Sequence, residues 1–385
     1  MRQLLQLNKI STAVKSVLKD NYVLSETAEN PVGIMLRSFA MHEYTLPDTV
    51  VCVGRAGAGV NNIPVDRYAD EGVVVFNAPG ANANAVKELV ITAMLLCGRR
   101  IVPAISWAQS LTDGEKTVGQ QVEKGKAQFA GTEILGKTLA VYGLGAIGRL
   151  AAQAAKALGM NVVGYDPYLS PEARESLIEK GIKIADSVDT LLDGCDFITM
   201  HVPLTPETRE FINKERIATL KKGVNIINLA RGELVNNADV IQAVKEGRIN
   251  RYVTDFPSAE LLGVDGIITF PHLGASTEEA EDNCAVMTAE EMLDYIENGN
   301  IRNSVNFPAV RLEKEGKARM VVLFDKQAEQ DVKAKLGSMK KVINSTVALN
   351  KNKGVALVNL SDIPCDNCIG DLKAINGVRK VYFPS

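Results

Sequence analysis

The run KTLAVYGLGAIGRLAAQAAKALG, Lys137 to Gly159, sets Gly143, Gly145 and Gly148 between an apolar strand pattern and an alanine-rich helix pattern. Glycines alone are common in loops. A strand directly before them and a helix directly after restrict the segment to the first turn of a dinucleotide-binding βαβ unit. Gly143 permits the tight turn, Gly145 lets the backbone approach a pyrophosphate, and Gly148 allows the helix to pack closely on the strand. Unpaired N–H groups at the helix start then face the anion. Asp166 ends the next strand, where a carboxylate accepts from ribose hydroxyls and repels a 2′-phosphate, so the expected cofactor is NAD rather than NADP.

The same alternation recurs along the chain. VGIMLRS, TVVCVGRAG and GVVVFNAPG precede the helix-like NAVKELVITAMLLCGRR; after the glycine loop come NVVGYDP, IKIA, CDFITMHVPL, GVNIINLARG, RYVTDFP and GIITFPHLG. Such repeats build parallel sheets with helices on their faces, and nearly all-apolar strands fit burial on both sides. Ligands bind such sheets at the carboxyl ends of the strands. Ser276-Thr277-Glu278-Glu279 has capping-box spacing, which predicts a helix capped by Ser276 that runs to Asn298 and stops at Gly299. The charged run RLEKEGKAR, Arg311–Arg319, reads as a linker. Beyond it RMVVLF, AEQDVKAKLGSM, VINSTVALN, GVALVNL, CIGDLKAI and VRKVYF give the order βαββαβ, a ferredoxin-like plan. The expected fold class is α/β: two Rossmann-like or flavodoxin-like parallel-sheet domains and a small βαββαβ domain.

A net charge of −3 over 385 residues, without a polybasic block, argues for small-molecule chemistry and against nucleic acid or an anionic membrane as partner. The longest apolar stretches, Glu88–Cys97 and Gly223–Ala230, fall short of the roughly 20 residues a membrane span needs. The start, MRQLLQLNKISTAVKSVL, has scattered lysines and no small-residue cleavage site, so a cytoplasmic protein is expected. Six dispersed cysteines fit a reducing compartment. Cys365-Asp-Asn-Cys368 has the spacing of half a redox or metal site. No second Cys or His pair accompanies it, so no metal is expected and the pair reads as a helix-start loop.

Three polar residues follow later strands: Arg231 after NIINLA, Glu260 in the loop after RYVTD, and His272 after GIITF. An arginine fork binds a carboxylate bidentately, a histidine moves a proton near neutral pH, and a glutamate beside it favours the imidazolium. His201, in HVPLT, reads as structural or cofactor-adjacent, and His42 as a surface residue.

The segments GKTLAVYGLGAIGRLAAQAAKALGMNVVGYDPY, DFITMHVPLTPETREFIN, INLARGELVNNADVIQAVKEGRI and FPHLGAST occur in an order and spacing that resembles the D-isomer-specific 2-hydroxyacid dehydrogenases. With VVCVGRAGAGVNNIPVDRYADEGVVVFNAPG the likeness spans residues 31 to 308. VGRAGAGVNNI and YDPY bring it nearest to the members that oxidise D-3-phosphoglycerate. The resemblance implies that His272 is the acid/base, Glu260 the carboxylate paired with it, and Arg231 the holder of the substrate carboxylate. Asp255 would lie near the nicotinamide carboxamide, Ala146 and Ile147 at the pyrophosphate, and Asp166 at the ribose. Val202, Leu229, Ala230, Gly274 and Ala275 would line the rest of the NAD site. Arg55, Ala56, Gly57 and Ala58 match the loop that receives the substrate carboxylate, and Arg37, Arg55 and Lys126 are candidate phosphate contacts.

It further implies NAD-dependent oxidation of D-3-phosphoglycerate to 3-phosphohydroxypyruvate, the first step of the phosphorylated route to L-serine. Hydroxypyruvate or glyoxylate reduction and D-lactate or 4-phosphoerythronate dehydrogenation are rival activities of the family; an NAD-sensing corepressor-like protein is a rival of another class. The implied organisation is a substrate-binding domain at 1–100 and 285–308, an NAD domain at 101–284, a linker at 309–319 and an ACT-like domain at 320–385. A homodimer or homotetramer would form through the NAD domain, with Trp107–Lys126 as arm. Two departures stand out. The family follows its aspartate with Val-Phe and its glutamate with Pro, where this chain reads DFPSAELL. LFDKQAEQDV lacks the Pro, Gly, His and Asn with which serine-regulated ACT domains open, so the small domain is expected to serve association, or no nameable role, rather than serine feedback.

Overall fold

The computed structural model describes residues 1–384 and divides into two compact units, Met1–Asn82 with the chain from Thr277 onward, and Ala83–Ser276. In the first, β1 (Arg2–Gln6), β2 (Tyr22–Ser25), β3 (Gly33–Leu36), β4 (Cys52–Arg55) and β5 (Val74–Asn77) pair in parallel in the order β2-β1-β3-β4-β5, the flavodoxin-like order. β3 and β5 are buried along their length, which is why their sequences are apolar except for Asn77 at the end of β5. β1 and β2 escape a reading of apolar runs. In β1 only Leu4 and Leu5 are buried, and β2 is an edge strand with one buried residue, Tyr22.

The second unit holds β6 (Thr138–Tyr142), β7 (Asn161–Tyr165), β8 (Lys183–Ile184), β9 (Phe197–Met200), β10 (Val224–Asn228), β11 (Ile249–Thr254) and β12 (Ile267–Thr269). They form one parallel sheet in the order β12-β11-β10-β9-β6-β7-β8. The order reverses between β6 and β9, which places the ligand-binding switch point at the glycine loop after β6. The helix Ala83–Gly98 belongs here and not to a 1–100 domain, because Val86, Val90, Ala93 and Met94 pack with Leu139, Val141, Ala151 and Val253.

The other boundary falls after Ser276 rather than after 284. The helix Glu278–Asn298 packs Cys284, Ala285, Ala289, Met292 and Tyr295 into the core of the first unit. Its cap is Thr277, not Ser276: Thr277 Oγ1 accepts from Ala280 N at 3.1 Å. Gly299, at φ 74°, ends the helix in the left-handed region.

β13 (Ala318–Asp325), β14 (Val342–Leu349), β15 (Lys353–Leu360) and β16 (Val378–Tyr382) form an antiparallel sheet in the order β14-β15-β13-β16, joined through the helices Glu329–Ser338 and Asp366–Lys373. This is the βαββαβ plan. It does not stand apart behind a linker. Met320, Val322 and Phe324 face the sheet's own helices, while Val321 and Leu323 share a core with Phe76, Met292, Tyr295 and Ile296. Two buried faces account for a strand apolar from Met320 to Phe324. Arg319, the end of the charged run, is 1% exposed. Its Nε and Nη2 donate to Asn359 Oδ1 at 3.1 and 3.0 Å, Nη1 to Asn298 O at 2.8 Å, and Nη2 also to Leu312 O at 2.8 Å. A count of charges reads this arginine as solvated; its hydrogen-bond partners make it part of the core. Among the described residues no single helix is long and apolar enough to cross a membrane.

Candidate functional site

Backbone geometry explains the three glycines after β6 differently. Gly143 has φ 92°, and a Cβ built on it would lie 2.6 Å from His201 O; one on Gly148 would lie 1.9 Å from Gly143 O. Both are required by packing alone. A Cβ on Gly145 would meet nothing within 4 Å. That residue is the N-cap of the helix Ala146–Ala157 and supplies no side-chain cap, so open space lies before free N–H groups at the helix start. Such a helix start, which includes Ala146 and Ile147, can receive an anion.

Asp166 follows β7 and accepts from Leu144 N at 2.9 Å through Oδ2 and from Tyr168 N at 2.9 Å through Oδ1. It thus fixes the glycine loop, and each carboxylate oxygen keeps a lone pair that can accept a further hydrogen bond. His201 underlies the same loop, where its N–H donates to Tyr142 O at 2.7 Å and its Nε2 lies 3.1 Å from Thr199 Oγ1. Burial pushes its pKa down to about 4, so the ring is neutral and structural. Val202 sits against Gly143.

Asn228 ends β10 fully buried; its Oδ1 accepts from Ala230 N at 3.2 Å and its Nδ2 donates to Arg231 O at 2.8 Å. This asparagine, unremarked in the sequence, shapes the turn that presents Leu229, Ala230 and Arg231. The only sequence signal was a polar residue inside an apolar strand. Arg231 is exposed, with Nη1 bonded to Ala230 O at 2.6 Å.

Asp255, just past β11, is 1% exposed, and its Oδ1 has no hydrogen-bond partner among the described residues. Burial raises its pKa, against the opposing pull of His272, the Gly274 N–H and Arg231. A Cβ on Gly274 would lie 3.4 Å from Val86 Cγ2 and 3.6 Å from Asp255 Oδ2, ordinary contact distances that place this residue beside the carboxylate. Ala275 follows, half-buried. Arg231, Asp255, His272 and Gly274 are therefore brought together at the carboxyl edge of one sheet.

Glu260 is placed otherwise. Its Oε1 accepts from Asn237 Nδ2 at 2.7 Å, with Ser258 Oγ at 3.5 Å. Among the described residues no hydrogen bond or ion pair joins Glu260 to His272. The exposed imidazole instead meets Phe256 edge-on, ring centroids 5.0 Å apart at 89°. The DFPSAELL loop gives the physical reason: it sends Glu260 toward the first residue of the helix Asn237–Lys245. Asn237 was not evident in the sequence, because its role depends on how that loop folds back.

In the first unit, Arg55 ends β4 and its Nε donates to Asn62 Oδ1 at 3.2 Å. The Ala56 N–H donates to Leu36 O at 2.8 Å, the Gly57 N–H to Arg55 O at 2.7 Å, and Ala58 O accepts from Asn77 Nδ2 at 2.5 Å. Arg37 pairs with Glu281 at 2.5 Å. In the second unit Lys126 pairs with Glu123 at 2.6 Å, on a helical segment rather than at a strand end.

Residues 92–274 match the family described as D-isomer specific 2-hydroxyacid dehydrogenase, NAD binding domain. A D-3-phosphoglycerate dehydrogenase of Methanocaldococcus jannaschii is 40% identical over 278 residues, 71% of this chain and 50% of that protein. One of Bacillus subtilis is 35% identical over 273 residues, 69% of this chain and 49% of that protein. The chain thus spans about half the length of these relatives. Among solved structures, D-2-hydroxyisocaproate dehydrogenase superposes with a TM-score of 0.67 at 21% identity, covering 80% of this chain and 100% of the other. The NAD+-bound 3-phosphoglycerate dehydrogenase of Entamoeba histolytica gives 0.60 at 23%, covering 79% and 98%.

Proposed function

We propose, for a chain that belongs to the D-isomer-specific 2-hydroxyacid dehydrogenases and uses NAD, that it oxidises D-3-phosphoglycerate to 3-phosphohydroxypyruvate. The observation that carries the reading is the gathering of Arg231 and His272 around the buried Asp255, at the edge where the strand ends of an NAD-binding sheet meet ligand. When bound, NAD supplies the hydride acceptor. The Arg231 fork binds the substrate carboxylate and polarises C2, and His272 takes the C2 hydroxyl proton. Asp255, short of a donor at Oδ1, takes a hydrogen bond from the nicotinamide carboxamide. Glu260, held by Asn237, acts on His272 only after the loop closes the separation between them.

The Arg55–Ala58 turn is proposed for the substrate carboxylate, and Arg37, Arg55 and Lys126 for the phosphate. Arg37 and Lys126 must then give up Glu281 and Glu123. The helices Ile101–Gln109 and Val118–Gly125 bury no residue and expose Ile101, Val102, Ile105 and Val118, which supports a homo-oligomer built on this arm. The βαββαβ sheet is read as an ACT-like element used in association, and the location as cytoplasmic.

Steady-state NADH oxidation with phosphohydroxypyruvate, hydroxypyruvate, pyruvate and glyoxylate tests the substrate. The expected result is a kcat/KM for phosphohydroxypyruvate at least about tenfold above hydroxypyruvate, the worth of roughly 1.4 kcal/mol of phosphate contact. Equal values would assign the enzyme to unphosphorylated acids, and no turnover of any would leave a binding protein.

A further inference from the structure

Cys365 and Cys368 take no part in the reaction proposed above. Cys365 is the N-cap of the helix Asp366–Lys373 and Cys368 lies in its first turn, so their spacing brings both side chains to one face. The two Sγ atoms are 2.7 Å apart. Cys365 is exposed; Cys368 is half-buried against the core of the small sheet. Two cations stand nearby. Lys341 Nζ donates to Ile363 O at 2.6 Å in the loop before the helix, and Lys335 Nζ pairs with Asp371 at 2.6 Å on the helix itself.

The other four cysteines differ in every respect. Cys52, Cys97, Cys195 and Cys284 are buried, and burial pushes the thiols of Cys97 and Cys195 up to about 12. At the Cys365–Cys368 pair the shifts are opposite. A hydrogen bond from Cys368 is the main cause that lowers Cys365, with the Lys341 charge adding to it, and the same bond raises Cys368. One sulfur is thus prepared as the attacking thiolate and the other as its resolving partner.

We propose that Cys365 and Cys368 form a reversible dithiol/disulfide site that exchanges with low-molecular-weight disulfides. The Cys365 thiolate attacks one sulfur of R–S–S–R, forming a mixed disulfide and releasing RS⁻. Cys368 gives its proton to solvent and attacks Cys365 Sγ, which closes the internal disulfide and releases the second RS⁻. Two electrons pass from the pair to R–S–S–R, and two protons end on two RSH. A dithiol reductant reverses the sequence.

The test uses the full chain, equilibrated with oxidised glutathione, quenched in acid, alkylated and mapped by mass spectrometry. The expected product has lost two hydrogens, is protected at Cys365 and Cys368 only when the quenched chain is alkylated in denaturant, and returns to the dithiol with dithiothreitol. Cys368→Ser should stop at the glutathione mixed disulfide on Cys365. Cys365→Ser should react at least about tenfold more slowly, since its remaining thiol is the less ionised and less exposed one. Circular dichroism confirms that both variants are folded. Three outcomes overturn the proposal: full alkylation of both thiols after oxidant as before it, a wild-type mixed disulfide that never closes, or equal reactivity of the two variants.

Discussion

His272 and Arg231 could be singled out from the sequence because each is a chemically distinctive residue placed just after an apolar strand. Asn228 and Asn237 could not, because an asparagine acquires its role only from what the fold brings within hydrogen-bond reach. For His272→Ala, general acid–base catalysis sets the expectation of a fall in kcat of about 10²–10⁴-fold with NADH binding retained; stopped-flow turnover beside fluorescence titration of NADH separates the two. A second residue, Glu291, lies in the helix Glu278–Asn298 with no side-chain exposure, accepting from Asn303 Nδ2 at 2.6 Å while its Oε2 has no partner. Burial pushes its pKa up to about 7, despite Asn303 and Arg302. The sign follows from linkage. Below its unfolded value of 4.5 the group is protonated in both states. Between that value and about 7 the unfolded chain releases the proton first, so stability falls as pH rises. Glu291→Gln should therefore be more stable than the parent at pH 8, by at most about 3 kcal/mol, with the gap closing toward pH 5 in denaturant titrations.

The glycine loop was the element most fully specified by sequence, since strand, spacing and helix all had to agree, and the structure divides its glycines by function. Gly148→Ala places a methyl carbon 1.9 Å from Gly143 O, a backbone atom that cannot yield without moving the turn. Its expected outcome is a lower melting temperature together with weak NAD binding. Gly145→Ala meets open space at φ −66°, a conformation alanine adopts freely. It should leave the melting temperature within about 2 °C while raising the NAD Kd at least about tenfold, the loss expected where a methyl intrudes on a close pyrophosphate contact. Thermal melts beside calorimetric NAD titration distinguish the two variants. Elements without such mutual agreement were harder to read. β1 and β2 carry too few apolar residues to register as strands, and the choice between Ser276 and Thr277 as helix cap turns on backbone angles that spacing does not fix.

At the scale of the whole molecule, the sequence pattern gave the order βαββαβ correctly but not its attachment, because a strand buried on two faces looks the same whether its second partner is local or distant. Here that partner is the long helix of the first unit. Tyr382 OH donates to Ile296 O, Lys380 Nζ to Val50 O at 2.8 Å, and Lys353 Nζ pairs with both Asp70 and Asp325 at 2.6 and 2.7 Å. Arg319 is the covalent entry to the sheet and the point where the helix end, the Leu312 carbonyl and Asn359 are tied together. Arg319→Met keeps an aliphatic stem yet leaves three acceptors, the buried Asn359 Oδ1 and the part-buried Asn298 and Leu312 carbonyls, without their cation. Its cost should reach about 3 kcal/mol or more, seen as a shifted urea midpoint with unchanged slope. A chain ending at Lys317 is the stronger test. If the sheet were an independent appendage, residues 1–317 would keep their melting temperature. With Val321, Leu323, Val355 and Leu357 removed from a core they share with Phe76, Met292 and Tyr295, the expected outcome is an aggregation-prone product in which the first unit loses amide-exchange protection along the Glu278–Asn298 helix.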